Sequence, residues 1–209
     1  MLRPTRFCKT AGPDLRIGVL AVQGGFEAHL KMLRQLGAEA LEVRAPGDLD
    51  GLDGLVIPGG ESTTITKGID AAGLAPAICA HHQSGRPIFG TCAGMIVCDD
   101  EHLGLVDLTA ERNAFGRQLQ SFEADLEVEG IGDEPLRAVF IRAPRVRRHG
   151  PGVEAIATYE GHPVAVRGEG VLACAFHPEL TDDPRLHALF MAMTTSARER
   201  ERDREEAEN

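Results

Sequence analysis

The stretch Gly90-Thr91-Cys92-Ala93-Gly94 constrains this chain more than any other. An apolar run, Pro87-Ile88-Phe89, leads into it, and a segment of helical character, Met95-Ile96-Val97-Cys98, leads out. Strand, sharp turn and helix in succession form a unit of an α/β sheet. A glycine two residues before Cys92 and another two after it leave room for the strained bend that G-x-S-x-G elbows use to present a nucleophile. Such a bend exposes the sulfur and aims the first N–H groups of the following helix at whatever the sulfur attacks. Those groups and the helix dipole favour negative charge, both on a thiolate and on an oxyanion. Read alone, the same five residues also fit a buried cysteine between two packing glycines, so the rest of the chain has to decide.

The first half repeats one pattern. Arg16 to Val22 reads as a buried strand, Phe26 to Leu36 has helical spacing closed by Gly37, and Ala40 to Arg44 is a second short strand. Strand–helix–strand at this length predicts a βαβ unit and a parallel sheet. Leu55-Val56-Ile57 is a third strand, ending in Pro58-Gly59-Gly60-Glu61-Ser62, after which Ser62 opens a helix. In open α/β sheets ligands sit beyond the carboxyl ends of the strands, so this glycine turn and the Cys92 elbow are expected at one edge. The turn lacks the G-K-[ST] of a phosphate loop. A helix from about Pro76 to Ser84 precedes the elbow, with His81 and His82 near its end read as side chains compatible with its C-terminal dipole rather than as ligands.

Residues 104–175 change character. Phe122 to Val128, Val139 to Ile141, Val153 to Thr158 and Val164 to Val166 predict antiparallel strands added to the edge of the sheet. The basic run Arg145, Arg147 and Arg148 reads as a solvated loop. Val171 to Phe176 is a last core strand, and it ends in His177-Pro178-Glu179. Histidine takes and returns a proton near neutral pH, and Glu179 is near enough in sequence to fix its tautomer. Pro184 to Met193 closes the domain as a helix, and the nearly all-charged run from Arg198 to Glu208 reads as a solvated helix end or a tail.

Composition removes other classes. With 209 residues the chain is expected to form one domain, preceded by a flexible extension over 1–14 and followed by a charged tail over 196–209. A formal net charge of −10 argues against nucleic-acid binding, which needs a basic footprint. Three lysines among 22 basic residues suit a salt-adapted protein or an arginine-rich genome. The five cysteines form no C-x-x-C pair and no zinc spacing, so neither a metal nor a disulfide framework is expected, and a reducing cytoplasm fits best. No apolar run approaches the ~18 residues of a membrane span, and Met1 to Asp14 lacks the apolar centre of a signal peptide.

A cysteine elbow, a glycine-rich turn and a strand-end His-x-Glu make a nucleophile–base–orienter set. With these in place the sequence resembles the class I (triad) glutamine amidotransferases. More narrowly, it resembles the glutaminase subunits of pyridoxal 5′-phosphate synthase (the PdxT family). The likeness runs from about Arg16 to Met193. It rests on L-A-V-Q-G at 20–24, I-P-G-G-E-S-T-T-I at 57–65, F-G-T-C-A-G at 89–94, E-R-N-A-F-G-R-Q at 111–118, V-F-I-R-A-P at 139–144 and F-H-P-E-L-T-D at 176–182. The 1–14 extension, a short Val97-to-His102 connection and the charged tail depart from the pattern.

The resemblance implies a flavodoxin-like three-layer α/β sandwich with a mostly parallel sheet, added antiparallel strands and a glutaminase domain over 15–195. It implies that Cys92 attacks the side-chain amide of L-glutamine, that His177 moves the protons and that Glu179 orients it. Backbone N–H groups of Gly60 and Ala93 would form the oxyanion hole, and Gly59, Gly60, Glu61, Arg112, Ile141 and Arg142 would hold the substrate. No cofactor is implied. The implied partner is a (β/α)8-barrel synthase subunit of the PdxS family, which receives the ammonia through an internal channel. Two other readings start from the same elbow. A cysteine hydrolase of another type is disfavoured because its histidine usually stands beside the cysteine, where this chain has Ala93. A purely binding module is disfavoured by the intact Cys92, His177 and Glu179.

Overall fold

A computed structural model describes residues 15–112 and 121–208. The extension expected over 1–14 and the 113–118 part of the E-R-N-A-F-G-R-Q segment lie outside these residues. The first half alternates as its periodicity predicts. It runs β1 (Arg16–Leu20), α1 (Phe26–Gln35), β2 (Glu39–Val43), β3 (Gly54–Ile57), α2 (Ser62–Ala71), α3 (Ala75–Gln83), β4 (Ile88–Thr91) and α4 (Ala93–Cys98). The second half supplies β5 (Leu108–Glu111), β6 (Ser121–Leu126), β7 (Leu136–Ile141), β8 (Arg145–His149), β9 (Val153–Tyr159), β10 (His162–Gly168), β11 (Val171–Cys174) and α5 (Arg185–Glu208).

Seven strands form the central sheet in the order β2-β1-β3-β4-β11-β10-β9. The first five run parallel, and β10 and β9 add antiparallel at one edge. The architecture is the expected three-layer α/β sandwich. β1, β3, β4 and β11 are buried almost throughout, as strands covered on both faces must be. Register then places the chemistry. Ile57 on β3 pairs with Gly90 on β4, and Thr91 on β4 pairs with Cys174 on β11. All three strands therefore end at one level. The segments that follow, Pro58-Gly59-Gly60, Cys92 and Ala175-Phe176-His177, emerge side by side at the carboxyl edge.

Three expectations are corrected. Only β9 and β10 extend the sheet. β5 pairs with β8, and β6 with β7, in two separate ribbons. The β6–β7 ribbon has its own apolar side, where Phe122 stacks on Phe140 at 4.5 Å between ring centroids. The Arg145–Arg148 run is strand β8, not a loop. Arg145 pairs with Glu111, and Arg148 bridges Asp100 and Asp107. Finally, His81 and His82 are not helix-end cations. Burial is the main cause that lowers both, His81 to about 4, so neither carries charge to the α3 terminus at neutral pH.

The charged run after Met193 continues α5 without a break to Glu208. Its alternating signs permit i,i+4 pairing, as between Arg202 and Glu206, and Arg86 of the domain reaches back to Glu201. No helix among the described residues is long and apolar enough to cross a membrane.

Candidate active site

The elbow is built by close backbone approach. Cys92 stands at φ 49, ψ −108, a positive-φ conformation outside the strand and helix regions and strained for a residue with a Cβ. Two glycines make that bend possible. A Cβ on Gly94 would collide with the carbonyl oxygen of Ile57 in the neighbouring strand, and one on Gly90 would lie 2.7 Å from the Gly94 oxygen. The elbow is tied down where its N–H donates to the Cys174 carbonyl at 2.7 Å. The sulfur meets the Ile141 carbonyl at 3.8 Å and lines a cleft of about 300 Å³. Cys98 and Cys174 are wholly buried, and burial is the main cause that raises both thiols, so neither competes as a nucleophile.

His177 follows β11 and lines the same cleft. Its N–H donates to the Val139 carbonyl at 2.9 Å, so the β6–β7 ribbon helps to fix the loop. The ring packs against Gly59, where an added Cβ would lie 2.5 Å from its Cε1. Nδ1 lies 2.7 Å from Glu179 Oε1 in a short turn of 3₁₀ helix, Pro178–Leu180. Burial alone would lower the His177 pKa. Hydrogen bonds to Cys92 and Glu179, and the charges of both, outweigh it and lift the value to about 10. Burial likewise opposes ionisation of Glu179, yet the His177 hydrogen bond and the neighbouring imidazoles hold its carboxyl below the ordinary range. His177 and Glu179 are thus joined by a hydrogen bond, and Cys92 lines the same cleft as His177.

The other sequence-predicted residues converge on the same cleft. Gly60, Glu61, Ala93, Arg112, Ile141 and Arg142 line it together with Ile96 and Pro144. Gly59 and Glu179 stand one layer behind. The carboxylate of Glu61 is already engaged as the cap of α2, accepting from the N–H groups of Thr63 and Thr64 and from the Thr64 hydroxyl. The Thr64 hydroxyl bond is the largest of the causes that lower its pKa to about 2, so it is a fixed anion at the cleft rim. Arg112 donates to Thr63 Oγ1 at 3.0 Å, and Arg142 holds a left-handed conformation at φ 47. Gly59 is clamped through both of its flanking peptides. The Gly59 N–H donates to Thr91 Oγ1 at 3.0 Å and its carbonyl accepts from the Gly25 N–H at 3.0 Å. Across a trans peptide the Gly60 N–H therefore points away from Gly25.

Sequence reasoning missed three contributors. Gln23 Oε1 accepts from the Glu61 N–H at 3.1 Å, Thr91 anchors Gly59, and His29 lies 3.4 Å from Glu179. Gln23 and Thr91 stood inside recognised motifs. The signal for His29 was a polar ring on the apolar face of α1, beside Leu30 and Leu33. Among the described residues no group of three His, Cys, Asp or Glu side chains is placed to hold a metal ion.

A mostly parallel α/β sheet that carries a cysteine elbow after one strand and a His-x-Glu after its neighbour has the fold of the class I glutamine amidotransferases. Residues 19–196 match the model of the SNO glutamine amidotransferase family, and the chain belongs to that family. It is 48% identical over 191 residues to the pyridoxal 5′-phosphate synthase subunit PdxT of Geobacillus kaustophilus, across 88% of this chain and 97% of that one. Identity is 52% over 189 residues to the protein of the same name from Dehalococcoides mccartyi, across 86% and 97%. A crystal structure of a glutamine amidotransferase superposes with a TM-score of 0.79 at 48% identity, covering 85% of this chain and 98% of that one.

Proposed function

We propose that this chain hydrolyses L-glutamine to L-glutamate and ammonia through a thioester on Cys92, as the glutaminase subunit of a pyridoxal 5′-phosphate synthase. The observation that carries the reading is His177, hydrogen-bonded to Glu179 and sharing with Cys92 a cleft that has an anion and two guanidinium groups on its wall. Cys92 Sγ attacks the carboxamide carbon, and the oxygen becomes an oxyanion. The N–H groups of Gly60 and Ala93 receive that charge; losing one such donor typically costs on the order of 10²–10³ in rate. The C–N bond breaks as His177 gives its proton to the departing nitrogen, releasing ammonia. Water then attacks the thioester, His177 takes the proton, and Cys92 leaves as thiolate.

Glu61, Arg112 and Arg142 suit the two ends of free glutamine. The carboxylate of Glu61 faces an ammonium, and the guanidinium groups face a carboxylate. Gly59 and Ile141 complete the substrate-binding set, with backbone groups at the sulfur. Ammonia released into water is protonated and lost as a nucleophile, so the product needs a receiver. A (β/α)8-barrel synthase subunit of the PdxS family fits that role, joining the ammonia to a pentose phosphate and a triose phosphate. We place the complex in the cytoplasm. The test is glutamate release with and without that subunit, in wild type and Cys92→Ala. The reading expects strong stimulation by the partner and no turnover in the variant. Equal rates with and without the partner would remove the coupling, and an active Cys92→Ala would remove the mechanism.

A further inference from the structure

Behind the cleft, α1 and α5 each bury a histidine that the chemistry above does not use. His29 and His187 are both wholly inaccessible, with His29 Nδ1 2.9 Å from His187 Nε2. The far nitrogen of His29, Nε2, lies 3.2 Å from Thr91 Oγ1 and 3.4 Å from Glu179 Oε2. The titratable groups facing His29 are thus His187 from α5 and Glu179 from the 3₁₀ turn, with His177 one group further out. Two buried polar atoms here have no hydrogen-bond partner within the protein: Glu179 Oε2 and His187 Nδ1. An orphaned carboxylate oxygen beside a catalytic imidazole calls for an explanation.

Proton placement supplies one. Burial, the leading cause, lowers both histidines, His29 to about 4, so each ring is neutral at physiological pH with one N–H. If His29 carries its proton on Nδ1, His187 must accept at Nε2 and its own N–H is stranded at Nδ1. The bare lone pair of His29 Nε2 would then face an ionised carboxylate. If His29 carries its proton on Nε2, that N–H donates to Thr91 Oγ1 and approaches Glu179 Oε2 at 3.4 Å, and His187 Nε2–H donates to His29 Nδ1. His187 Nδ1, an acceptor, and the hydroxyl proton of Thr91 are left without a partner. Each arrangement strands one buried donor, but only the second avoids setting a lone pair against the buried carboxylate charge, which is the larger cost.

Resting on the glutaminase reading, we infer that His29 is a positioning residue: its Nε2–H, fixed in tautomer by His187, holds the second oxygen of Glu179 while the first orients His177. Through Thr91 the same ring braces Gly59, so one buried imidazole steadies both the orienting carboxylate and the oxyanion turn. At 3.4 Å the contact to Glu179 is long, as contacts in catalytic sets often are until the Michaelis complex tightens them.

The test uses the full chain with its synthase partner and four variants. His29→Leu removes the donor; His29→Gln puts an amide N–H near Nε2; His29→Asn reaches only the Nδ1 position; Cys92→Ala is the control. For His29→Leu we expect kcat to fall about 10- to 100-fold, the range typical of groups that orient a reacting residue. KM should stay within about threefold, since no substrate contact is lost. Its acid limb in kcat/KM should move to higher pH, because the carboxylate has lost a donor that favours ionisation. Gln should restore most of kcat and the wild-type acid limb, and Asn should not. The inference is overturned if Leu leaves kcat and the acid limb unchanged, or if Gln and Asn are equally impaired. The Gln–Asn pair decides even where Leu fails to fold. Activity retained in Cys92→Ala would instead mean that the triad reading itself had failed.

Discussion

Two histidines approach Glu179 from opposite sides and end in opposite states. On the cleft side, His177 Nδ1 meets Oε1 at 2.7 Å and its pKa rises to about 10. On the core side, His29 Nε2 stands 3.4 Å from Oε2, and burial lowers that ring to about 4. The carboxylate is common to both, so it cannot account for the difference. His177 also lines a cleft together with Cys92, whereas His29 sits wholly inside with a second neutral imidazole as its neighbour. A counter-charge and partial access to water make one ring an acid; their absence makes the other a fixed dipole. Under the proposed mechanism, proton transfer and orientation fall to two rings that differ in their burial.

Glu179→Gln strikes that comparison at its centre. An amide cannot hold both rings as a carboxylate does, and it allows the wrong His177 tautomer. Glutamate release should fall by about 10²–10⁴, the upper figure being that of a comparable change in a serine-protease triad. Steady-state kinetics at saturating glutamine measures it. A smaller but still large effect is expected where the elbow meets the sheet. Gly94→Ala drives a methyl into the Ile57 carbonyl and should cost about 3 kcal/mol or more, read as a lower denaturant midpoint.

The pH responses sharpen the contrast because their signs differ. The folded chain holds the His177 proton more tightly than the unfolded chain. That contribution to stability is complete below pH 6.5 and lost as pH rises through about 10. Activity should fall over the same alkaline limb, since the acid that protonates the departing nitrogen is lost. His29 and His81 act in the other direction. The unfolded chain takes up their protons from pH 6.5 downward while the folded chain resists to about 4, so stability declines over that window. The shift at His29 alone corresponds to roughly 3 kcal/mol, measurable by denaturation at pH 7 and pH 4. At the low end of the scale, Glu201→Ala removes a half-exposed ion pair to Arg86 and should change stability by less than about 0.5 kcal/mol. A large loss there would show that exposed pairs matter as much as the buried polar series.

The same distinction explains what the sequence made legible. β1 to β4 and α1 to α4 are local signals, with apolar runs and helical periods set by nearest neighbours, and the triad residues lie at strand ends that those signals mark. The β5–β8 ribbon pairs Leu108 with His149, and no local pattern announces a partner some forty residues away. The Arg145–Arg148 run looked solvated because its acidic partners come from distant segments. His29 was illegible for a similar reason: its neighbours at 91, 179 and 187 meet only once the sheet is assembled. Glu61 was recognised by motif and the helix start at Ser62 was read, but the turn of the Glu61 carboxylate back onto the Thr63 and Thr64 N–H groups shows only in the assembled backbone.

The central claim is that the Cys92 sulfur, activated by His177, accepts an acyl group from a carboxamide. A glutamine-analogue electrophile, followed by intact-mass measurement and peptide mapping of the chain with its synthase partner, tests it most directly. The account predicts one added equivalent on Cys92, blocked by excess glutamine and absent in His177→Asn under the same exposure. Stoichiometric labelling at Cys79 or another site, with Cys92 unmodified while glutamate release is abolished, would contradict it.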